Sequence, residues 1–306
     1  MKHRLLLPLS AACLLSTTPM ALADSVGART AFELTKRYEN MTSACPGEAP
    51  AYMCSGVMLR VLGGYSAQYN GWDPSPFSAR SGATSFSYLR TDIKSGHFAL
   101  NYNSGYIFYP EQQTPEGMLK PEAQCFFLHD ADTYERDDKG CGAHQETFSK
   151  DSNTCDHYDI TTPEQWYQHY TRVNRFENRR RHECGFKMTV DNTPGGARDA
   201  FDLAVAAYKY LHTHGARGEE AAMQNEFRLL TWPKGAAAQL PIQAFFYTGN
   251  GSGRDNARKY QRDFFNQTHR FVPIIKVYMP RGAWKDVKFR FYSSDQYVRP
   301  NATTAM

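Results

Sequence analysis

Short apolar runs, broken by turn residues, alternate with amphipathic stretches along this chain, and their spacing lays out its elements. Ser25 to about Asn40 has helical periodicity, with Phe32, Leu34 and Tyr38 near one face. Cys54 to Leu62 reads as a buried strand holding one charge, Arg60. From Thr84 to Arg90, Ser85, Ser87 and Leu89 alternate with Phe86, Tyr88 and Arg90, the period of a strand or a strand-to-helix corner. His97 to Tyr102 and Tyr106 to Tyr109 read as a hairpin around Asn103-Ser104-Gly105. Thr162, Pro163 and Gln165 spell a helix start, with a cap, a first-turn proline and a capping-box partner. The pattern then predicts a helix at about 197–212 and a strand from Glu226. A strand from Pro241 to Thr248 and a helix from about Arg254 to Asn266 follow, then closing strands at Phe271 to Tyr278 and Val287 to Tyr292. Strands and helices intermix without regular alternation, which favours an α+β fold over a doubly wound sheet.

Composition adds a compartment. Lys2 and Arg4 precede an apolar run from Leu5 to Leu15, and Ala21-Leu22-Ala23 offers the small residues a signal peptidase accepts. The expectation is a leader over 1–23, cut after Ala23, ahead of a single domain over 24–306 that is secreted or periplasmic. The apolar run is too short to span a bilayer, and no later stretch reads as a membrane helix, so no membrane insertion is expected. Ser10 stands where a lipobox before Cys13 would want leucine. Beyond the leader remain Cys45, Cys54, Cys125, Cys141, Cys155 and Cys184. An even set in an exported chain points to three disulfides, with the pairing open. Their spacing lacks C-x-x-C, against a zinc ribbon or a redox centre. Four of them fall between about 110 and 190, which reads as a disulfide-tied insertion packed on the core.

The formal net charge of +4 is too small for a dedicated nucleic-acid binder. Arg179-Arg180-Arg181 reads as a solvated loop. Gly249-Asn250-Gly251-Ser252-Gly253 lacks the full dinucleotide-loop spacing and reads as a connector. His212-Thr213-His214 brings no third ligand at useful spacing, so no metal is expected. A G-x-S-x-G elbow is absent from the sequence.

The chemistry concentrates elsewhere. Gln224-Asn225-Glu226 opens an apolar run that Pro233-Lys234-Gly235 closes, which sets a carboxylate at the lip of a sheet. A carboxylate on a rigid strand end can be aimed at a substrate. Arg60, alone in its apolar strand, needs an anion or a carboxylate, because an unpaired buried guanidinium is costly. Tyr88 and Arg90 read either as groups that stack on and hold a nucleotide or as packing on the neighbouring sheet.

In chain order, Arg60, then Ser85 and Ser87, then Gln224 and Glu226 resemble the Arg-Ser-Glu signature of the ADP-ribosyltransferase superfamily, in its Gln-x-Glu version. A resemblance to halovibrin-type secreted proteins spans nearly the whole mature chain. It rests on Cys54-Ser55-Gly56, the run from Ser85 to Arg90, Gly105 to Pro110, Gly140-Cys141-Gly142, Asn225 to Arg228, Leu240 to Tyr247 and Gln261 to Phe264. The resemblance implies a split antiparallel β-sandwich with flanking helices. It also implies a bacterial, toxin-like NAD-consuming enzyme, either an NAD glycohydrolase or a mono-ADP-ribosyltransferase with a host protein acceptor. NAD is then the substrate. Glu226 is the electrostatic catalyst, Arg60 the phosphate clamp, Ser85 or Ser87 the brace, and Gln224 the reader of the acceptor. Tyr88, Arg90 and Asn225 join Arg60 as nucleotide-binding candidates. Three features depart from that pattern: Ser85-Phe86-Ser87 stands for Ser-Thr-Ser, the gap from there to Glu226 is far longer than usual and works only if the cysteine-rich middle is an insertion, and glutamine at 224 disfavours an arginine acceptor. The rival reading is a disulfide-stabilised secreted protein that binds carbohydrate or a host surface. It allows Arg60, the serines and Glu226 to lie apart.

Overall fold

The computed structural model describes residues 19–62, 83–93, 98, 102–108, 112–114, 117–119, 122–129, 141, 154–176, 184–188, 194–214, 224–230, 242–249, 251–279 and 286–298. The Pro233-Lys234-Gly235 stop, Arg179-Arg180-Arg181 and the first eighteen residues of the leader lie outside them.

The described residues form an α+β fold on a nine-stranded mixed sheet. Chain order gives β1 (Val57–Val61), β2 (Ala83–Leu89), β3 (Ser104–Phe108), β4 (Gln112–Thr114), β5 (Gly117–Leu119) and β6 (Glu122–Phe127). Then follow β7 (Phe186–Lys187), β8 (Glu226–Leu230), β9 (Ile242–Tyr247), β10 (Ile274–Tyr278) and β11 (Lys288–Phe291). The helices are α1 (Pro19–Glu39), α2 (Pro163–Phe176), α3 (Pro194–His214) and α4 (Ser252–Thr268). The sheet order is β11-β10-β9-β3-β1-β2-β8-β6-β7, with β4 and β5 paired apart from it. All its pairings are antiparallel except β9 with β10, so the sheet is mixed rather than purely antiparallel.

Alternation along the strands gives the sheet two apolar faces. One is covered by α1, which buries Leu34 and Tyr38 against Val57, Leu59, Ile107, Phe246, Ile275 and Val277. The other holds Phe86, Tyr88, Phe126, Phe227 and Phe245 beneath α2, α3 and α4. Phe32, expected on the inner side of α1, is instead 62 % exposed, because only Leu34 and Tyr38 of that trio reach the sheet. Helix α1 begins at Pro19, so the expected cleavage point after Ala23 falls within it.

The capping box at α2 forms as its sequence predicts. Gln165 N–H donates to Thr162 Oγ1 at 3.2 Å, and Thr162 N–H donates to Gln165 Oε1 at 3.0 Å. The hairpin expected at Asn103-Ser104-Gly105 does not form, since Ser104 and Gly105 begin a central strand between β1 and β9. Glycine serves close approach there: a Cβ on Gly105 would come within 1.9 Å of the Arg60 carbonyl oxygen. The six cysteines pair as Cys45–Cys54, Cys125–Cys141 and Cys155–Cys184. The cysteine-rich segment is not set apart from the sheet, because its β6 pairs with β8 from Glu122–Leu230 to Phe127–Glu226. No described helix is long and apolar enough to cross a membrane.

Candidate active site

Strand β2 changes partners midway. Its first half, Ala83 to Phe86, pairs with β8, and its second half, Ser87 to Leu89, pairs with β1. Past Leu59, β1 has left β2 while Arg60 and Val61 stay paired to β3. A wedge therefore opens where β1 and β2 part. Across it, Arg60 donates from Nη1 to the Ser85 carbonyl at 2.9 Å.

A cleft of about 160 Å³ sits at this divergence, lined by Arg60, Val61, Ser85 to Ser87 and Gln224 to Glu226. That is below the roughly 300–1,000 Å³ of typical ligand pockets, so its volume suits one ring of a ligand rather than a dinucleotide. Five predicted site residues, Arg60, Ser85, Ser87, Gln224 and Glu226, are brought together here.

Glu226 is buried, at 3 % exposure, at the start of β8. Ser85 Oγ donates to its Oε1 at 2.5 Å. Its Oε2 is buried and has no hydrogen-bond partner among the described residues. An orphaned carboxylate oxygen carries a desolvation cost that a hydroxyl donor from a ligand removes. Ser87 Oγ donates to Gln224 Oε1 at 3.3 Å. Each serine of β2 thus steadies one polar side chain of the next strand.

Asn225 is placed differently from its prediction. It is buried, and its side chain spends both ends on Tyr88: Tyr88 N–H donates to Oδ1, and Nδ2 donates to the Tyr88 carbonyl, each at 2.7 Å. The carboxamide stands in for a peptide group two positions beyond the last backbone pairing of β2 with β8. Asn225 is therefore a strap between strands, not a nucleotide ligand.

Tyr88 and Arg90 are likewise withdrawn from the nucleotide-binding set, because alternation turns Tyr88 into the core and Arg90 is buried at the end of β2. Tyr88 packs edge-on against Phe201 and its hydroxyl donates to the Ser55 carbonyl. Burial pushes its phenol up to about 12, against the opposing effect of Arg90. Arg90 is committed to Asp92 through Nε at 2.6 Å and Nη2 at 3.1 Å. Burial alone would raise the Asp92 carboxyl, but hydrogen bonds from Arg90 and Lys209 hold it below its ordinary value.

Sequence reasoning passed over Arg228. Fully buried, it stands two residues past Glu226 on the same side of β8, opposite Ser85 and Cys125 in register. Its signal in the sequence is a charge at the next same-face position of an apolar strand. The neighbouring Cys125 is tied to Cys141, so a disulfide anchors the segment beside the site strand. Among the described residues no cluster of three or more metal-ligating side chains occurs. The cleft presents a carboxylate, hydroxyls, an amide and a guanidinium.

No family model matches this chain, and no curated protein matches it either.

Proposed function

We propose that this protein cleaves NAD at the nicotinamide–ribose bond, as an NAD glycohydrolase or a mono-ADP-ribosyltransferase. One observation carries the reading: Ser85 grips one oxygen of a buried glutamate whose other oxygen has no partner among the described residues, in a cleft that Arg60 and Gln224 also line. The rival reading, a secreted binding protein, allowed these side chains to lie apart, and their convergence favours the enzyme.

The chemistry fits the inventory. Breaking the C–N bond leaves positive charge on the ribose, as in glycoside hydrolysis. The Glu226 carboxylate faces that charge, and its second oxygen accepts from a ribose hydroxyl. Ser85 fixes the carboxylate's orientation before the reaction, so little reorganisation is needed when charge develops. Arg60 holds the phosphates as a planar cation. The nicotinamide departs with the bonding electrons as a neutral base. Water adds to the ribose carbon and releases one proton, or a protein nucleophile takes the place of water in the transferase. The partner change of β2 is compatible with the split sheet that the resemblance implies, and the three disulfides fit an exported protein. Export through a leader cleaved after Ala23 belongs to the same proposal.

The test is chromatography of NAD incubated with the purified, oxidised protein, with and without a host-cell lysate. Nicotinamide with free ADP-ribose indicates the hydrolase, and nicotinamide with labelled lysate protein indicates the transferase. If nicotinamide is released under neither condition, the reading fails.

A further inference from the structure

Away from the Glu226 cleft, on the α4 side of the sheet, β10 and β11 carry a second surface. Strands β10 and β11 pair so that Lys276 stands directly across from Arg290, and Tyr278 across from Lys288. Tyr292, just past β11, meets the Tyr278 hydroxyl with its own at 3.0 Å. Like charges directly opposite each other in an antiparallel pair are destabilising. Helix α4 extends the same chemistry. Arg254, Arg258 and Arg262 recur at every fourth position, a like-charge stripe that also weakens a helix. Arg254 lies within electrostatic reach of Tyr247, whose ring is 5.6 Å from the Lys276 ammonium, so helix and strands form one surface. Arg258 and Arg262 sit 5.9 and 5.6 Å from the Tyr297 ring centroid. Tyr278, Tyr292 and Tyr297, 40, 41 and 50 % exposed, are half of the exposed large apolar side chains among the described residues.

Among the described residues, carboxylates pair with two of the three arginines of α4. Asp255 and Asp263 pair with Arg254 and Arg262, and Asp295 is buried, accepting from the Tyr247 hydroxyl. Cations on an edge strand also discourage edge-to-edge pairing, which accounts for Lys288 and Arg290. That explanation does not reach Lys276 on the interior strand β10, the arginines of α4 or the tyrosines.

We propose that this surface binds an acidic polysaccharide. Charge complementarity calls for a polyanion, and the rings narrow the kind. Lys276 already sits 4.8 Å from the Tyr278 ring centroid, and two arginines engage Tyr297. These rings are poorly placed to stack on bases, the main grip on single-stranded nucleic acid. Phenolic hydroxyls and forked guanidinium donors remain to meet the sulfates, carboxylates and hydroxyls of a sugar chain.

Calorimetric titration of the oxidised protein at physiological ionic strength tests this, with heparin as the sulfated probe, dextran as the neutral one and oligo(dT) as the nucleic acid. Heparin is expected to bind, dextran not to bind, and oligo(dT) to bind at least roughly tenfold more weakly than heparin. The double variant Lys276→Gln/Arg290→Gln is expected to bind heparin about tenfold more weakly. Its melting temperature should not fall, because the like-charge pair is gone, and its action on NAD should be unchanged. Arg258→Gln/Arg262→Gln offers the same comparison from the helix, should the strand variant fold poorly. Absence of heparin binding, equal affinity for oligo(dT), or wild-type affinity in well-folded variants overturns the proposal.

Discussion

Glu226 presents two oxygens, one held by Ser85 and one with no hydrogen-bond partner among the described residues. Ser85→Ala removes the grip but not the charge, so the loss should fall on turnover rather than on binding. A drop of roughly tenfold in kcat is expected, with stability changed by no more than about 1 kcal/mol, the net worth of one hydrogen bond. Steady-state kinetics of NAD cleavage beside a thermal melt separates the two effects, and a change confined to KM would point to a different role for Ser85. The sequence made Glu226, Ser85 and Arg60 legible as residue types at strand ends, because polar groups in apolar runs stand out. It could not show which oxygen each donor reaches, since that depends on register across 141 positions of chain. Asn225 differs from its expectation, and Tyr88 and Arg90 stay open between nucleotide binding and packing in the sequence, for a related reason. Side-chain chemistry that suits a nucleotide suits a peptide group or a carboxylate equally well, and only packing decides between them.

At the scale of elements, the cleft exists because β2 pairs with β8 and then with β1. Asn225 prolongs the β2–β8 contact by the length of one carboxamide, which sets Gln224 and Glu226 on either side of a fixed point. Asn225→Ala leaves the Tyr88 N–H and carbonyl without that partner in a buried place. A loss of about 1–3 kcal/mol is expected for each group left unsatisfied. Chemical denaturation measures it, and a variant as stable as wild type would show that the strap contributes nothing. Most elements were legible from periodicity, and β9, α2 and α4 lie close to their expected places. The missing hairpin shows the limit. Asn103-Ser104-Gly105 has turn composition, yet its glycine is needed for close approach to Arg60 from an adjacent strand. Turn and close-contact glycines carry the same local signal.

At the scale of the whole molecule, the Glu226 cleft lies where β1 and β2 part, and the tyrosine–cation surface lies on β10, β11 and α4. The helical side also holds two buried or half-buried histidines. His129 stacks on Tyr170 with centroids 5.0 Å apart, and His212 packs edge-on against Tyr208. Burial lowers His129 to about 4, helped by the nearby charge of His212, and burial lowers His212 to about 4 as well. A base whose folded pKa is depressed takes up its proton more readily when unfolded. Its stabilisation is therefore complete above the ordinary value of 6.5 and is lost as pH falls through about 4. Melting temperatures between pH 7 and 4 should fall with acid, and His129→Phe, which keeps a ring and removes a titrating group, should flatten that slope. An unchanged slope would remove His129 from the account.

The central claim rests on Glu226, and the most direct measurement is nicotinamide release from NAD by the oxidised protein beside a Glu226→Gln variant whose fold is checked by circular dichroism. Glutamine keeps the shape and the acceptor toward Ser85 but removes the charge. The account predicts release by the wild-type protein and a loss of about 10²–10³-fold in the folded variant, the scale of removing one preorganised electrostatic group. Comparable release by a folded Glu226→Gln protein, or none by the wild type with or without an acceptor, would contradict it.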